Sequence, residues 1–125
     1  MLCIATGGTI LALATTIFTL SWTHSVERTD WRESWRIIGD RLQLVEASVE
    51  GPGAGIALPE GAEMTPEGWV FTPELPPLPR LVLAASGMTQ SGWTLCTGRA
   101  CAELGTAPGP PIEIWAAPVC RGTRD

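Results

Sequence analysis

Apolar and polar side chains alternate along much of this chain, and the alternation predicts β-strands. From residue 18 onward, Phe18, Leu20 and Trp22 share one face, while threonine and serine occupy the other. This pattern is typical of a strand with one buried face. Turn signals recur every few residues and sustained helical spacing is absent. The sequence therefore predicts an all-β fold, either a small antiparallel β-sandwich or a partly open β-barrel.

A second alternating segment follows a polar turn at residues 27–30. It places Trp31, Glu33 and Trp35 on one face and arginine and serine on the other. Aromatic and β-branched residues at every second position favour a strand over a helix. We therefore expect this strand to form a hairpin with the one that contains Trp22.

The strand predicted at residues 41–50 changes phase between Leu44 and Val45, which a β-bulge would explain. The proline-rich stretch 59–79 is predicted to be surface loop, apart from one strand at 69–71. Four more short strands are expected at residues 81–84, 93–96, 101–104 and 112–115.

The first sixteen residues have two interpretations. They are apolar and uncharged, as in a signal peptide or membrane anchor, with a small-x-small pattern at residues 12–14. However, the segment lacks the positively charged start that is usual for a signal peptide. Gly7-Gly8 and several threonines favour strands at residues 2–5 and 10–13. We prefer the strands, and then expect any export signal to lie before residue 1.

Length and charge narrow the class of protein. The 125 residues suit one domain, which we place at 1–125 with a flexible tail at 119–125. All eight positive charges are arginine and the net charge is −5, so no basic face is available for a nucleic-acid backbone. Nucleic-acid binding is therefore not expected.

Four cysteines make an even count, compatible with two disulfides in an oxidising compartment. Cys96 and Cys101 flank a short link and would face each other in a hairpin, so this is the preferred pair. Cys3 would then bond to Cys120, although four cysteines allow three pairings. No Cys-x-x-Cys motif points to zinc.

The polar residues of greatest interest are His24 and Glu33, which we expect to be neighbours across the hairpin. If Trp22 and Trp35 exclude water there, a hydrogen bond between them would satisfy both groups. The pair either fixes the strand register or serves a ligand, with Glu27 as a third polar member. A metal site of these three residues is disfavoured because their spacing matches no known motif.

Catalytic machinery is not recognisable in the sequence. Ser25 follows His24 directly, but adjacent strand residues point to opposite faces, so a dyad is disfavoured. Gly53 and Gly55 lack the lysine and the following helix of a phosphate loop, and a tight turn explains them. We therefore expect a protein that is not an enzyme and needs no cofactor.

The segment Phe18-Thr-Leu-Ser-Trp-Thr-His-Ser-Val-Glu27 resembles the bacterial DUF1850 family, a domain of unknown function. Trp31-Arg-Glu33-Ser-Trp35, residues 42–46 and Gly53-Ala54-Gly55 continue the resemblance in the same order and spacing. The His-Ser-Val-Glu element is its most specific part. The cysteines at positions 96, 101 and 120 belong at most to a subgroup.

The resemblance implies an exported domain that works beside tripartite ATP-independent periplasmic (TRAP) transporters with a TAXI-type solute receptor. From it we expect a non-enzymatic accessory or interaction domain at the periplasmic, extracytoplasmic face of the membrane. Its partners would be the permease or the TAXI-type receptor. The alternative is a small-ligand or metal-binding sensor that uses His24 and Glu33.

Overall fold

The computed structural model describes residues 1–24, 29–50, 61–66, 68–85 and 92–121, and only the backbone of His24 and Thr29. Its described secondary structure consists of β-strands, as the alternation predicts. In chain order they are β1 (Leu2–Thr6), β2 (Thr9–Leu13), β3 (Ile17–His24), β4 (Thr29–Ile38), β5 (Arg41–Val49), β6 (Glu63–Thr65), β7 (Gly68–Phe71), β8 (Leu81–Leu83), β9 (Trp93–Cys96), β10 (Cys101–Leu104) and β11 (Ile112–Ala116).

The strands form two antiparallel sheets packed face to face, so the predicted sandwich is confirmed and a closed barrel is not formed. The smaller sheet has four strands in the order β2-β1-β11-β8, and the larger has seven in the order β10-β9-β3-β4-β5-β7-β6. Every strand pair is antiparallel, and most neighbours are joined by short links.

The hydrophobic core lies between the two sheets. Each strand contributes alternate side chains to it, because successive residues of a strand point to opposite faces. The buried members of this core include Leu2, Ile4, Ile112 and Ile114 from the smaller sheet and Phe18, Leu20, Trp35, Leu42, Leu44, Leu95 and Leu104 from the larger. We call the core-facing side of the larger sheet its inner face and the opposite side its outer face.

A β-bulge interrupts the pairing of β4 and β5 where the sequence predicts it. Ser34 pairs with Glu46 and Trp35 pairs with Leu44, which leaves Val45 as the extra residue. Before the bulge Leu44 faces the core, and after it Ala47 does, while Val45 is exposed. The bulge therefore keeps both halves of β5 packed on the core despite the change of phase.

Residues 2–6 and 9–13 are paired strands of the smaller sheet, as expected from their threonines and from Gly7-Gly8. Both glycines adopt positive φ in the turn between them. Within the described ranges, no helix is long and apolar enough to cross a membrane.

Two disulfides connect the chain as predicted, between Cys3 and Cys120 and between Cys96 and Cys101. The second bridge joins directly opposed residues of the β9–β10 hairpin. The first ties β1 to the segment after β11, so the expected flexible tail at 119–125 is anchored at Cys120. Residues 122–125 lie outside the described part.

One strand was not predicted. The three residues of β6 pair with β7 at the edge of the larger sheet, within the stretch expected to be loop. So short a strand, next to prolines, gives too little alternation to be recognised. The turn proposed for Gly53 and Gly55 lies outside the described residues.

Candidate functional site

The strand register separates the two polar residues that the sequence suggested as neighbours. Glu33 pairs with Leu20, whereas the backbone of His24 pairs with Thr29. Three residue pairs lie between these positions, which are four steps apart along each strand, about 13 Å at the usual rise of a strand. The pair Trp22–Trp31 comes between them. The expectation that Glu33 faces His24 directly is therefore wrong in register. The side chain of His24, and all of Ser25 and Glu27, lie outside the described residues.

Glu33 lies on the inner face of the larger sheet beside Trp35. The indole Nε1 of Trp35 donates a hydrogen bond of 3.1 Å to its Oε1 atom. Partial burial raises the pKa of the Glu33 carboxyl above its ordinary value, and the hydrogen bond from Trp35 opposes that rise. The contact joins residues i and i+2 of one strand, so Glu33 has a structural partner that does not involve His24.

Three tryptophans pack together on the inner face towards the end of β3 that leads to His24. The rings of Trp22 and Trp31 stack with centroids 6.1 Å apart, and Trp93 packs against Trp22 at 4.8 Å. The Nε1 atom of Trp93 donates a hydrogen bond to the carbonyl of Ala84. That of Trp31 is buried and has no partner among the described residues. This cluster packs at the end of the core that leads to His24.

The outer face of the larger sheet has a different character. Three adjoining cavities of about 520, 410 and 430 Å³ lie along it. We call this depression the trough. It extends from β9 across β3, β4, β5 and β7 to β6. Its central lining consists of Thr19, Ser21, Arg32, Ser34, Ser48 and Thr94.

Arg32 lies at the centre of the trough and lines all three cavities. In register it stands between Ser21 on β3 and Ser48 on β5. Its side chain forms no ion pair or hydrogen bond with any residue that the structure describes. The trough therefore presents a free guanidinium group among hydroxyl side chains.

The ends of the trough differ in polarity. The 410 Å³ cavity is bordered by the exposed side chains of Ile17 and Val45, by a second arginine, Arg36, and by the disulfide-bonded Cys96. Val45 is there because the bulge turns it away from the core. At the opposite side, Asp30 and Glu50 line the 520 Å³ cavity. The Asp30 carboxylate accepts a hydrogen bond of 2.7 Å from the Thr23 hydroxyl group.

The trough is the feature that the sequence interpretation missed as a site. Alternation along β3 and β4 does place Thr19, Ser21 and Arg32 on the polar face. It gives no sign that this face is concave or that Arg32 is unpaired. Of the residues expected to support the site, Trp22, Trp31 and Trp35 have their rings on the inner face and border the cavities only from the strands that form the floor of the trough. Among the described residues, no group of three histidine, cysteine or acidic side chains could hold a metal ion.

Comparison with known proteins yields one match. Residues 18–104, more than two thirds of the chain, match the family described as a domain of unknown function, DUF1850. Apart from Ile17, the first residue of β3, this range contains all seven strands of the larger sheet, and therefore the trough, but not β1, β2 or β11. No curated protein and no solved structure matches the chain.

Proposed function

We propose, starting from the fact that the chain belongs to the DUF1850 family, that it is a non-enzymatic accessory domain of solute uptake. It works in an oxidising compartment at the extracytoplasmic face of the membrane, beside a TRAP transporter with a TAXI-type receptor. It binds the receptor or the permease through the trough. The transporter association comes from the family resemblance, and the docking surface comes from the geometry.

The observation that carries this proposal is the open trough on the larger sheet. A concave face that crosses six strands gives a partner much contact area without any change in the core. Arginine is also enriched among the residues that dominate binding energy at protein interfaces. The two disulfides support the location, because such bonds persist in oxidising compartments and are rare in the cytosol.

The alternative, a small-ligand or metal sensor built on His24 and Glu33, has less support. The register puts three residue pairs between them, and Glu33 already bonds to Trp35. A sensor of that design would need both side chains in one pocket.

Co-purification tests the proposal. The chain is co-expressed with an affinity-tagged receptor and with the permease of its own uptake system, and solubilised complexes are isolated. We expect the unmodified chain to be retained. Ser48→Trp, which fills the trough, should reduce the retained amount at least tenfold. Val82→Trp, on an exposed site of β8, is the matched control and should not. If the unmodified chain associates with neither component, the proposed function is wrong.

A further inference from the structure

The chemistry of the trough indicates what its partner carries. A guanidinium group in a rigid strand offers two parallel N–H donors, an arrangement that matches a carboxylate. Arg32 has no such acceptor among the described residues, although it is flanked in register by Ser21 and Ser48, whose hydroxyls could bond to the same oxygens. Its charge is therefore available to an anionic group from outside the chain.

Next to this charge the trough has apolar side chains, together with a second arginine, Arg36, which lines the same cavity. Ile17 and Val45 are 59% and 42% exposed and border the cavity that Arg32 shares with the centre of the trough. Exposed aliphatic side chains beside a cation favour a partner with an apolar group close to its negative charge. A suitable partner is therefore amphiphilic: it has a negative charge over Arg32 and an apolar group next to that charge, over Ile17 and Val45.

The length of the trough distinguishes a protein segment from a small molecule. From Thr94 on β9 to Thr65 on β6 there are five steps between neighbouring strands, about 24 Å at the usual strand spacing. An extended chain covers that distance with about seven residues. A short carboxylic acid would occupy only one of the three cavities.

Carboxylates on both sides of the centre restrict the partner further. Asp30 and Glu50 line one cavity and Glu46 lines another, all on the outer face. A second negative charge on the bound segment would approach one of them. An acidic residue placed over Arg32, with no further negative charge towards these carboxylates, is therefore the pattern with the best charge complementarity.

From these features we propose that the trough docks an extended partner segment of about seven residues. The segment carries one carboxylate, which binds Arg32, and apolar side chains next to it, which pack on Ile17 and Val45. This inference rests on the proposed function and specifies the partner feature that the trough recognises.

The experiment uses a capped heptapeptide with one central glutamate, two valines after it, and serine and threonine elsewhere. Its affinity for the whole, disulfide-bonded chain is measured by amide chemical-shift titration. We expect binding at least tenfold tighter than that of the same peptide with glutamine in place of glutamate. Arg32→Gln should remove this difference, whereas Arg41→Gln, the same charge change outside the trough, should preserve it. Val45→Ser should weaken the glutamate peptide about threefold.

The peptide titration would overturn the inference if the glutamate peptide does not bind at millimolar concentration, if the glutamine peptide binds equally well, or if the preference is unchanged in Arg32→Gln. Arg32→Lys gives a second check, because it keeps the charge but loses the paired donors and should bind with intermediate affinity. Octanoate is titrated in parallel. If it binds more tightly than the peptide, the trough is a small-molecule site instead. Co-purification that persists in Arg32→Gln would reject this inference and leave the proposed function intact.

Discussion

The two faces of the larger sheet are built by the same strands but have opposite roles. On β3 the inner face carries Phe18 and Leu20, which are buried under the smaller sheet. The outer face of the same strand carries Thr19 and Ser21, which line the open trough. Because strand side chains alternate, residues that stabilise the core and residues that line the binding surface follow one another along the same strand. The outer face can therefore be changed with little effect on the core.

Removing the Cys3–Cys120 disulfide should lower the free energy of unfolding most. This bridge ties together the smaller sheet, which packs on the inner face of the larger sheet. Cys3 and Cys120 are 117 residues apart in the chain, against 5 for Cys96 and Cys101. The chain-entropy treatment then gives a loss of up to about 5 kcal/mol for Cys3→Ala with Cys120→Ala, and about 2 kcal/mol for the bridge on the outer face.

Urea denaturation of the two double variants checks this prediction. Equal losses, or a larger loss at Cys96 and Cys101, would show that the Cys96–Cys101 bridge, which borders the trough, contributes at least as much to stability as the Cys3–Cys120 bridge of the smaller sheet. The distinction between the faces would then be wrong.

A substitution on each side of β3 tests the comparison within one strand. Leu20 is fully buried, so Leu20→Ala should lower the free energy of unfolding by about 3 kcal/mol through lost burial and the cavity left behind. Thr19→Ala, one residue away on the outer face, should change it by less than about 0.5 kcal/mol. Chemical denaturation measures both. A loss below 1 kcal/mol for Leu20→Ala would contradict the assignment of the core.

The faces of the sheet could be predicted from the sequence, but the partners across the hairpin could not. Alternation places His24 and Glu33 on one side, and a slip of one residue would move a strand's side chains to the wrong face. A slip of two or four residues preserves the faces, so alternation alone cannot select among these registers. The predicted pairing of His24 with Glu33 failed for this reason.

Features determined by a few local residues were predicted well. The phase change at Val45 indicated the bulge, and the short link between Cys96 and Cys101 indicated their disulfide. The trough could not be predicted because it depends on the shape of six neighbouring strands and on Arg32 having no acidic partner among the residues that the structure describes. Both are properties of the assembled sheet.

A smaller effect is expected from Glu33, the one acidic residue that faces the core near Trp35. Its pKa is raised in the folded state by burial, so the folded chain holds this proton to higher pH than the unfolded chain. The free energy of unfolding should therefore fall as pH rises from the ordinary glutamate pKa through the raised one.

In Glu33→Gln this part of the pH dependence should disappear. At pH 7 the variant should have a free energy of unfolding at least as large as that of the parent. At low pH, where Glu33 is protonated in both states, the variant should be no more stable than the parent. Denaturation midpoints at a series of pH values between about 3 and 8 provide the measurement. A parent that becomes more stable than the variant as pH rises would refute the prediction.

The most direct test of the account places a photo-crosslinking amino acid at position 48 in the trough and, in a second protein, at position 82 on β8. Both proteins are co-expressed with the receptor and permease of the uptake system and irradiated. We predict a crosslink to one of these components from position 48 and none from position 82. A crosslink from position 82 alone, or from neither position, would contradict the claim that the outer face of the larger sheet is the binding surface.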